Sequence, residues 1–323
     1  MSGLKKQITI ITSTLQGIGR ENAIHRFLEY HQDFGVKILV GVSDQSSFQG
    51  KYEKNVEFFE FEDSETIQTK LLSLSRKVET PYLAWVADDD FITGRMLASS
   101  CLVLNEQQDV VACDGLSVFF KEDDCQRVNV NYSYGSFIKL KKASKKKANL
   151  NLEDRLKLNA EHFHPMVMHG VIRKDVFTSL LINSNDIPVR WFDNYAVAKI
   201  LSHGNILMLD SISNVRSAGT RIMDGNPECH MTPEIPKLDL VLNENFYKNI
   251  YDEITMRFVV TPSIKAAMDY FLLVSSGALN INRRKKIFNV YLMLRSRIAF
   301  LILSRGVRLD IKKIKTMMKR YPI

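Results

Sequence analysis

The chain has 323 residues, enough for one large domain with an appendage and too many for a single minimal core. Its 45% hydrophobic and 25% charged residues match an ordinary globular protein and exclude general disorder. The net charge of +8 is not spread evenly: residues 281–323 hold thirteen Lys or Arg against the single acid Asp310, so the basic character belongs to the tail. Cys101, Cys113, Cys125 and Cys229 form no CxxC pair, which argues against a zinc site and for free thiols in a reducing compartment. The apolar stretch after Lys5-Lys6 is too short for a signal peptide, and Arg295 and Arg297 break the longest apolar run, Ile287 to Leu303. A cytoplasmic protein is expected.

The first third alternates strand and helix signals. Gln7 to Thr12 is a β-branched run, and Glu21 to His31 carries Ala23, Ile24, Phe27 and Leu28 on one helical face. Val36 to Val42 reads as a second strand, ending at Ser43-Asp44, and Val56 to Phe61 as a third. A helix is predicted over Ser64 to Val78, then a strand over Tyr82 to Ala87 that runs straight into Asp88. Met96 to Leu104 is helical and Val110 to Phe120 strand-like. Strands alternating with helices of this length indicate a sheet covered on both faces, with ligands at the carboxyl ends of its strands. Three of those ends are polar here: Thr12-Ser13, Asp44 and Asp88.

The six lysines within Lys139 to Lys147 mark a solvated loop or flap. Asn151 to His162 is predicted helical, Val167 to Arg173 a strand, and Lys174 to Ile182 a helix. Pro188 marks a loop before Trp191-Phe192-Asp193. A helix follows over Asn194 to Leu201, then a strand over Ile206 to Leu209 and a polar stretch to Pro236. From Leu238 the pattern is helical. The expected division is therefore residues 1–236 as the main domain and 237–323 as a helical basic region.

Asp88-Asp89-Asp90 is the sharpest chemical feature. Three adjacent carboxylates at the end of the apolar run Tyr82-Leu83-Ala84-Trp85-Val86-Ala87 repel one another unless a cation offsets their charge. A hard divalent ion, Mg²⁺ or Mn²⁺, takes one or two carboxylates plus substrate phosphates. The ordinary alternative is a solvated acidic turn. Asp44, with Ser46 beside it, either accepts from a base or ribose or makes a turn of its own. Gly17-Ile18-Gly19-Arg20 is half of a phosphate loop and lacks its third glycine. Asp193 is either the N-cap of the following helix or a general base beside aromatic residues. Arg216 and Arg221, flanking Ser217-Ala218-Gly219-Thr220, can clamp a diphosphate or stay solvated. His162, His164 and His169 do not have metal-motif spacing. The basic amphipathic tail, opening with Arg283-Arg284-Lys285-Lys286, suits an anionic membrane surface, nucleic acid, or packing on the body with a solvated basic face.

Together these segments resemble the family 2-like glycosyltransferases of GT-A fold. Ile8 to Ser13 is similar to their first strand and its polar turn, and Val42-Ser43-Asp44-Gln45-Ser46 to the strand end that meets the nucleoside. YLAWVADDDF (Tyr82 to Phe91) resembles the strand leading to their DxD motif, in the DDDF form of a bacterial surface-polysaccharide subgroup. HPMVMHGVIRKDVF, WFDNYAVAKIL and MLDSISNVR resemble the acceptor-side segments that follow. The resemblance covers roughly residues 7–225. It implies a mixed sheet flanked by helices, a nucleotide-sugar donor (UDP-linked by preference), Mn²⁺ or Mg²⁺, and inverting transfer to a hydroxyl of a glycan or lipid-linked acceptor. By carry-over, Asp44 would bind the base or ribose with Ser46 beside it, Asp88 to Asp90 would bind ribose and metal, with Asp88 and Asp90 alternative holders of those two roles, and Asp193 would deprotonate the acceptor. Thr12, Ser13, Asp89, Arg216 and Arg221 complete the expected donor contacts, the two arginines by their own chemistry at the diphosphate. A peripheral contact with the inner membrane face through residues 281–323 and no nucleic-acid partner are expected. The rivals are a nucleotidyltransferase, which would release pyrophosphate, and an inactive membrane-bound scaffold.

Overall fold

The computed structural model describes residues 3–14, 20–43, 52, 54–120, 128–129, 150–161, 165–187, 189–217, 261–275, 309, 312–314 and 316. Nine strands are found among the described residues: β1 (Ile8–Ser13), β2 (Lys37–Val42), β3 (Val56–Glu60), β4 (Tyr82–Trp85), β5 (Phe91–Ile92), β6 (Val110–Phe120), β7 (Val128–Asn129), β8 (Val171–Arg173) and β9 (Asn205–Ser217). Helices described with them are α1 (Arg20–His31), α2 (Ile67–Lys77), α3 (Gly94–Glu106), α4 (Leu152–Glu161), α5 (Lys174–Leu181), α6 (Val189–His203) and α7 (Pro262–Ser275).

The strands form one mixed sheet in the order β3-β2-β1-β4-β8-β6-β9-β5, with β7 paired to β6. β1 to β4 run parallel, β8 runs against both β4 and β6, and β6 and β9 are again parallel. β1 is buried at every position. Its Ile8 and Ile10 belong to the core on the α1 and α3 side, and Ile11 to the core with α2, α4, α5, α6 and α7. That alternation is the two-residue period of a strand covered on both faces.

Where the expected elements shift, local chemistry accounts for it. Of the strand expected over Val167 to Arg173 only β8 forms; Pro165 to His169 make a 3-10 turn, and the Gly170 N–H donates back to the Val167 carbonyl at 3.0 Å instead of to a ladder. The strand expected over Ile206 to Leu209 continues to Ser217 through Asp210, Ser211, Ser213 and Asn214. Pairing with β6 on one side and β5 on the other sets its length, not hydrophobicity. β5 is too short to leave a periodic signal. Between β6 and β9 the register slips several times, and at Gly115 a Cβ would lie 2.3 Å from the Ser211 carbonyl oxygen, so the two strands close there only around a glycine.

α7 falls in the region expected to be helical. Ala267, Met268 and Phe271 are buried in the same core as α2, α5 and α6. Of the basic tail, Ile314 is buried and Lys313 bonds Asp33, just beyond α1, at 2.7 Å. Cys101 and Cys113 are free and buried, as their apolar setting implies. The lysine loop, the Gly17 turn, His162, His164, Cys125 and Cys229 lie outside the described residues. No helix among the described residues is long and apolar enough to cross a membrane.

Candidate active site

The parallel half of the sheet aims its carboxyl ends at one edge. β1 and β4 stay together to that edge: the Val86 N–H donates to the Ile11 carbonyl at 3.1 Å. Past it the chain turns tightly, and the Asp90 N–H donates back to the Ala87 carbonyl at 3.0 Å. The turn leaves Asp88 and Asp90 only 3% and 2% exposed, with Asp89 between them partly exposed. Two carboxylates of one turn are thus held in a low-dielectric setting, where an ionised group is costly without a compensating charge.

Thr12 and Ser13 end β1 on the neighbouring strand, both buried. Their hydroxyls have no hydrogen-bond partner among the described residues. Ser13 is in register with Gly41 of β2, where a Cβ would stand 3.2 Å from the Ser13 hydroxyl and 2.9 Å from the Phe61 ring. Asp44 and Ser46 follow β2 and lie outside the described residues, as does Arg221. Arg216 is in β9 and not in a loop as expected. Its backbone pairs with Phe119, and the adjacent Val215 pairs with Phe91, so the Arg216 backbone is one strand away from the end of the acidic turn. Its side chain lies outside the described residues.

Asp193 does not cap a helix. α6 begins at Val189, directly after Pro188, and Asp193 stands inside it, partly exposed. Proline suits a helix start as well as a loop, which is why the sequence misplaces this boundary. Phe192 beside it is 4% exposed and packs into the core, so its ring presents no open face on which an acceptor sugar could stack.

Several site neighbours escape sequence reasoning. Trp85, at the end of β4, packs on His169 with ring centroids 4.4 Å apart and meets Phe192 edge-on at 6.5 Å. His169 stands out in sequence only as one of three close histidines, and nothing there pairs it with Trp85. His31, the last residue of α1, is fully buried, and its Nε2 accepts the Ile92 N–H at 3.2 Å. Thr93 holds the same segment from the other side: its hydroxyl donates to the Ile212 carbonyl at 2.7 Å and accepts from the Met96 N–H, capping α3.

No family model matches the chain, and no curated protein matches it significantly. Solved structures do. S. aureus TarS 1-349 superposes with a TM-score of 0.51 at 15% identity, over 98% of this chain and 91% of that one. The structure of S. aureus TarS 1-349 in complex with UDP-GlcNAc superposes over the same shares at the same identity, with a TM-score of 0.52. The likeness is one of fold, and it agrees with the mixed sheet flanked by helices that the GT-A resemblance implies.

Proposed function

We propose that the chain is a glycosyltransferase that moves a sugar from a nucleotide-sugar donor, UDP-linked, to a hydroxyl of a glycan or lipid-linked acceptor in surface-polysaccharide synthesis. The observation that carries the reading is the placement of Asp88 and Asp90: buried, in one turn, at the carboxyl edge of the parallel strands beside Thr12 and Ser13. A structure of the same fold, TarS, is known with UDP-GlcNAc, which supports a UDP-linked donor.

The donor set fits a hard divalent cation. No group of three metal-ligating side chains is found among the described residues, but Mg²⁺ and Mn²⁺ need only one or two carboxylates when phosphates complete the shell. When bound at Asp88 and Asp90, such an ion would offset charge on the leaving diphosphate. The chain's own groups supply the rest. Thr12 and Ser13, with Asp44 and Ser46, bind the nucleoside, and Asp88 and Asp89 the donor. Arg216 and Arg221 clamp the diphosphate with planar donors. Asp193 accepts the proton of the acceptor hydroxyl, which attacks with inversion. The basic residues of 281–323 hold the enzyme at an anionic membrane face.

The test is calorimetric titration of UDP, GDP, CMP and dTDP, with and without Mn²⁺, into the protein and into a variant with Asp88, Asp89 and Asp90 all changed to Asn. Binding of UDP that requires Mn²⁺ and vanishes in the variant is expected. If no nucleotide binds under either condition, the reading fails, and the buried acids of the turn serve the fold alone.

A further inference from the structure

The acidic turn leads directly into Phe91-Ile92, and this pair is gripped from behind. On one side it pairs with Val215 and Asn214 of β9. On the other stands His31, whose ring is fixed at both nitrogens. Nδ1 lies 2.8 Å from the Phe27 carbonyl, one helical turn back, and Nε2 lies 3.2 Å from the Ile92 amide nitrogen. A carbonyl can only accept and an amide N–H can only donate, so the ring must carry its proton on Nδ1 and present a bare Nε2. Burial keeps this imidazole neutral: it holds the pKa down at about 3. The Phe91 ring stacks on the His31 ring at 6.1 Å, and Tyr30 meets Phe91 edge-on at 5.1 Å.

The end of α1 is braced in turn by the tail. Lys313 bonds Asp33 at 2.7 Å and lies over the rings of Tyr30 and Phe34, at 5.2 and 5.8 Å from their centroids. Phe34 packs against Gly94, where a Cβ would come within 3.2 Å of its ring. A continuous set of contacts thus runs from Lys313 through Tyr30 and His31 to the backbone two positions past Asp90.

We propose that His31 is a positioning residue for the acidic turn: its Nε2, by accepting the Ile92 N–H, sets where the Asp88 and Asp90 carboxylates stand, and Lys313 holds the α1 end that carries it. The assignment rests on the reading of Asp88 and Asp90 as the metal and donor site. It needs no contact between His31 and substrate. Groups that orient metal ligands from behind change affinity without touching the ion.

Two substitutions separate position from bulk. Gln at 31 can place an amide oxygen near the site of Nε2 and still accept from Ile92; Leu fills the space and leaves the buried N–H without an acceptor. Leu28→Ala, in the same helix and also buried, is a control for lost stability alone. Mn²⁺-dependent UDP binding is titrated for all four proteins at a temperature where each is folded. His31→Leu is expected to weaken it by about tenfold or more, with His31→Gln within about threefold of wild type and Leu28→Ala unchanged. Equal affinities for the Leu and Gln variants, or an equal loss in Leu28→Ala, would overturn the proposal.

A second measurement stands apart from function. In protein labelled with ¹⁵N, the N–H···N bond transmits a scalar coupling between the Ile92 amide nitrogen and His31 Nε2. The coupling should be present in wild type, and the Asp88 and Asp90 amide resonances should shift in His31→Leu more than in His31→Gln. If the wild type binds no nucleotide but shows the coupling and those shifts, the function reading fails and the positioning stands. If the coupling is absent, the positioning fails whatever the nucleotide does.

Discussion

Single residues here carry two separable kinds of consequence. His31 is a base whose pKa burial lowers from 6.5 to about 3, with the charge of Lys313 adding in the same direction. The unfolded chain therefore takes up a proton below about 6.5 that the folded chain refuses until about 3. Stability from this group is fully present above the unfolded value and is lost as pH falls through that window, at a limiting slope of about 1.4 kcal/mol per pH unit. Denaturant unfolding at pH 7 and at pH 5 should show wild type losing stability relative to His31→Gln, which has no such proton; parallel losses would mean that the imidazole is not held neutral. Asp193 is the opposite case. It is partly exposed in α6, and Asn keeps its size and an accepting oxygen, so Asp193→Asn should move the unfolding midpoint far less than it moves turnover. If it is the base, kcat for sugar transfer should fall by about 10²- to 10⁴-fold with KM for the donor little altered. An unchanged kcat would remove it from the mechanism.

The elements show what an amino-acid sequence displays and what it hides. The place of Asp88 to Asp90 is legible because the apolar run from Tyr82 stops abruptly in acids, and a buried strand that ends in charge has few positions open to it. Both core faces are legible from the alternation in β1 and the helical stripe of α1. The environment of Asp193 is not, because Pro188 is compatible with either a loop or a helix start. Arg216 is hidden for another reason: β9 is kept extended by its two neighbours, through residues that are polar and so read as loop. Contacts such as His31 to Ile92, 61 positions apart, have no period and no motif, and only the folded chain displays them. At the β6 and β9 closure the demand on sequence is steric. Gly115→Ala would push a methyl into the Ser211 carbonyl, and the strands would have to part; a loss of about 1–3 kcal/mol in denaturant unfolding is expected. A neutral outcome would show that the β9 bulge yields easily.

At the scale of the whole molecule, the sheet draws distant parts of the chain into common cores. α7 contributes Ala267, Met268 and Phe271 to the core that also holds Leu71 of α2 and Ile200 of α6. Phe271→Ala should therefore cost about 3–5 kcal/mol in the transition of the main body. Two resolved unfolding steps, with only the lesser one moved, would show instead that residues 237–323 fold as a separate unit. The contact between Lys313 and Asp33 has a different implication, for the order of events in folding. It joins positions 280 apart in sequence, and we expect so non-local a contact to form after the local helices and neighbouring strands. The support behind the acidic turn is then among the last features a refolding chain acquires. Secondary structure and most of the buried core would return first, and tight nucleotide binding would lag behind them.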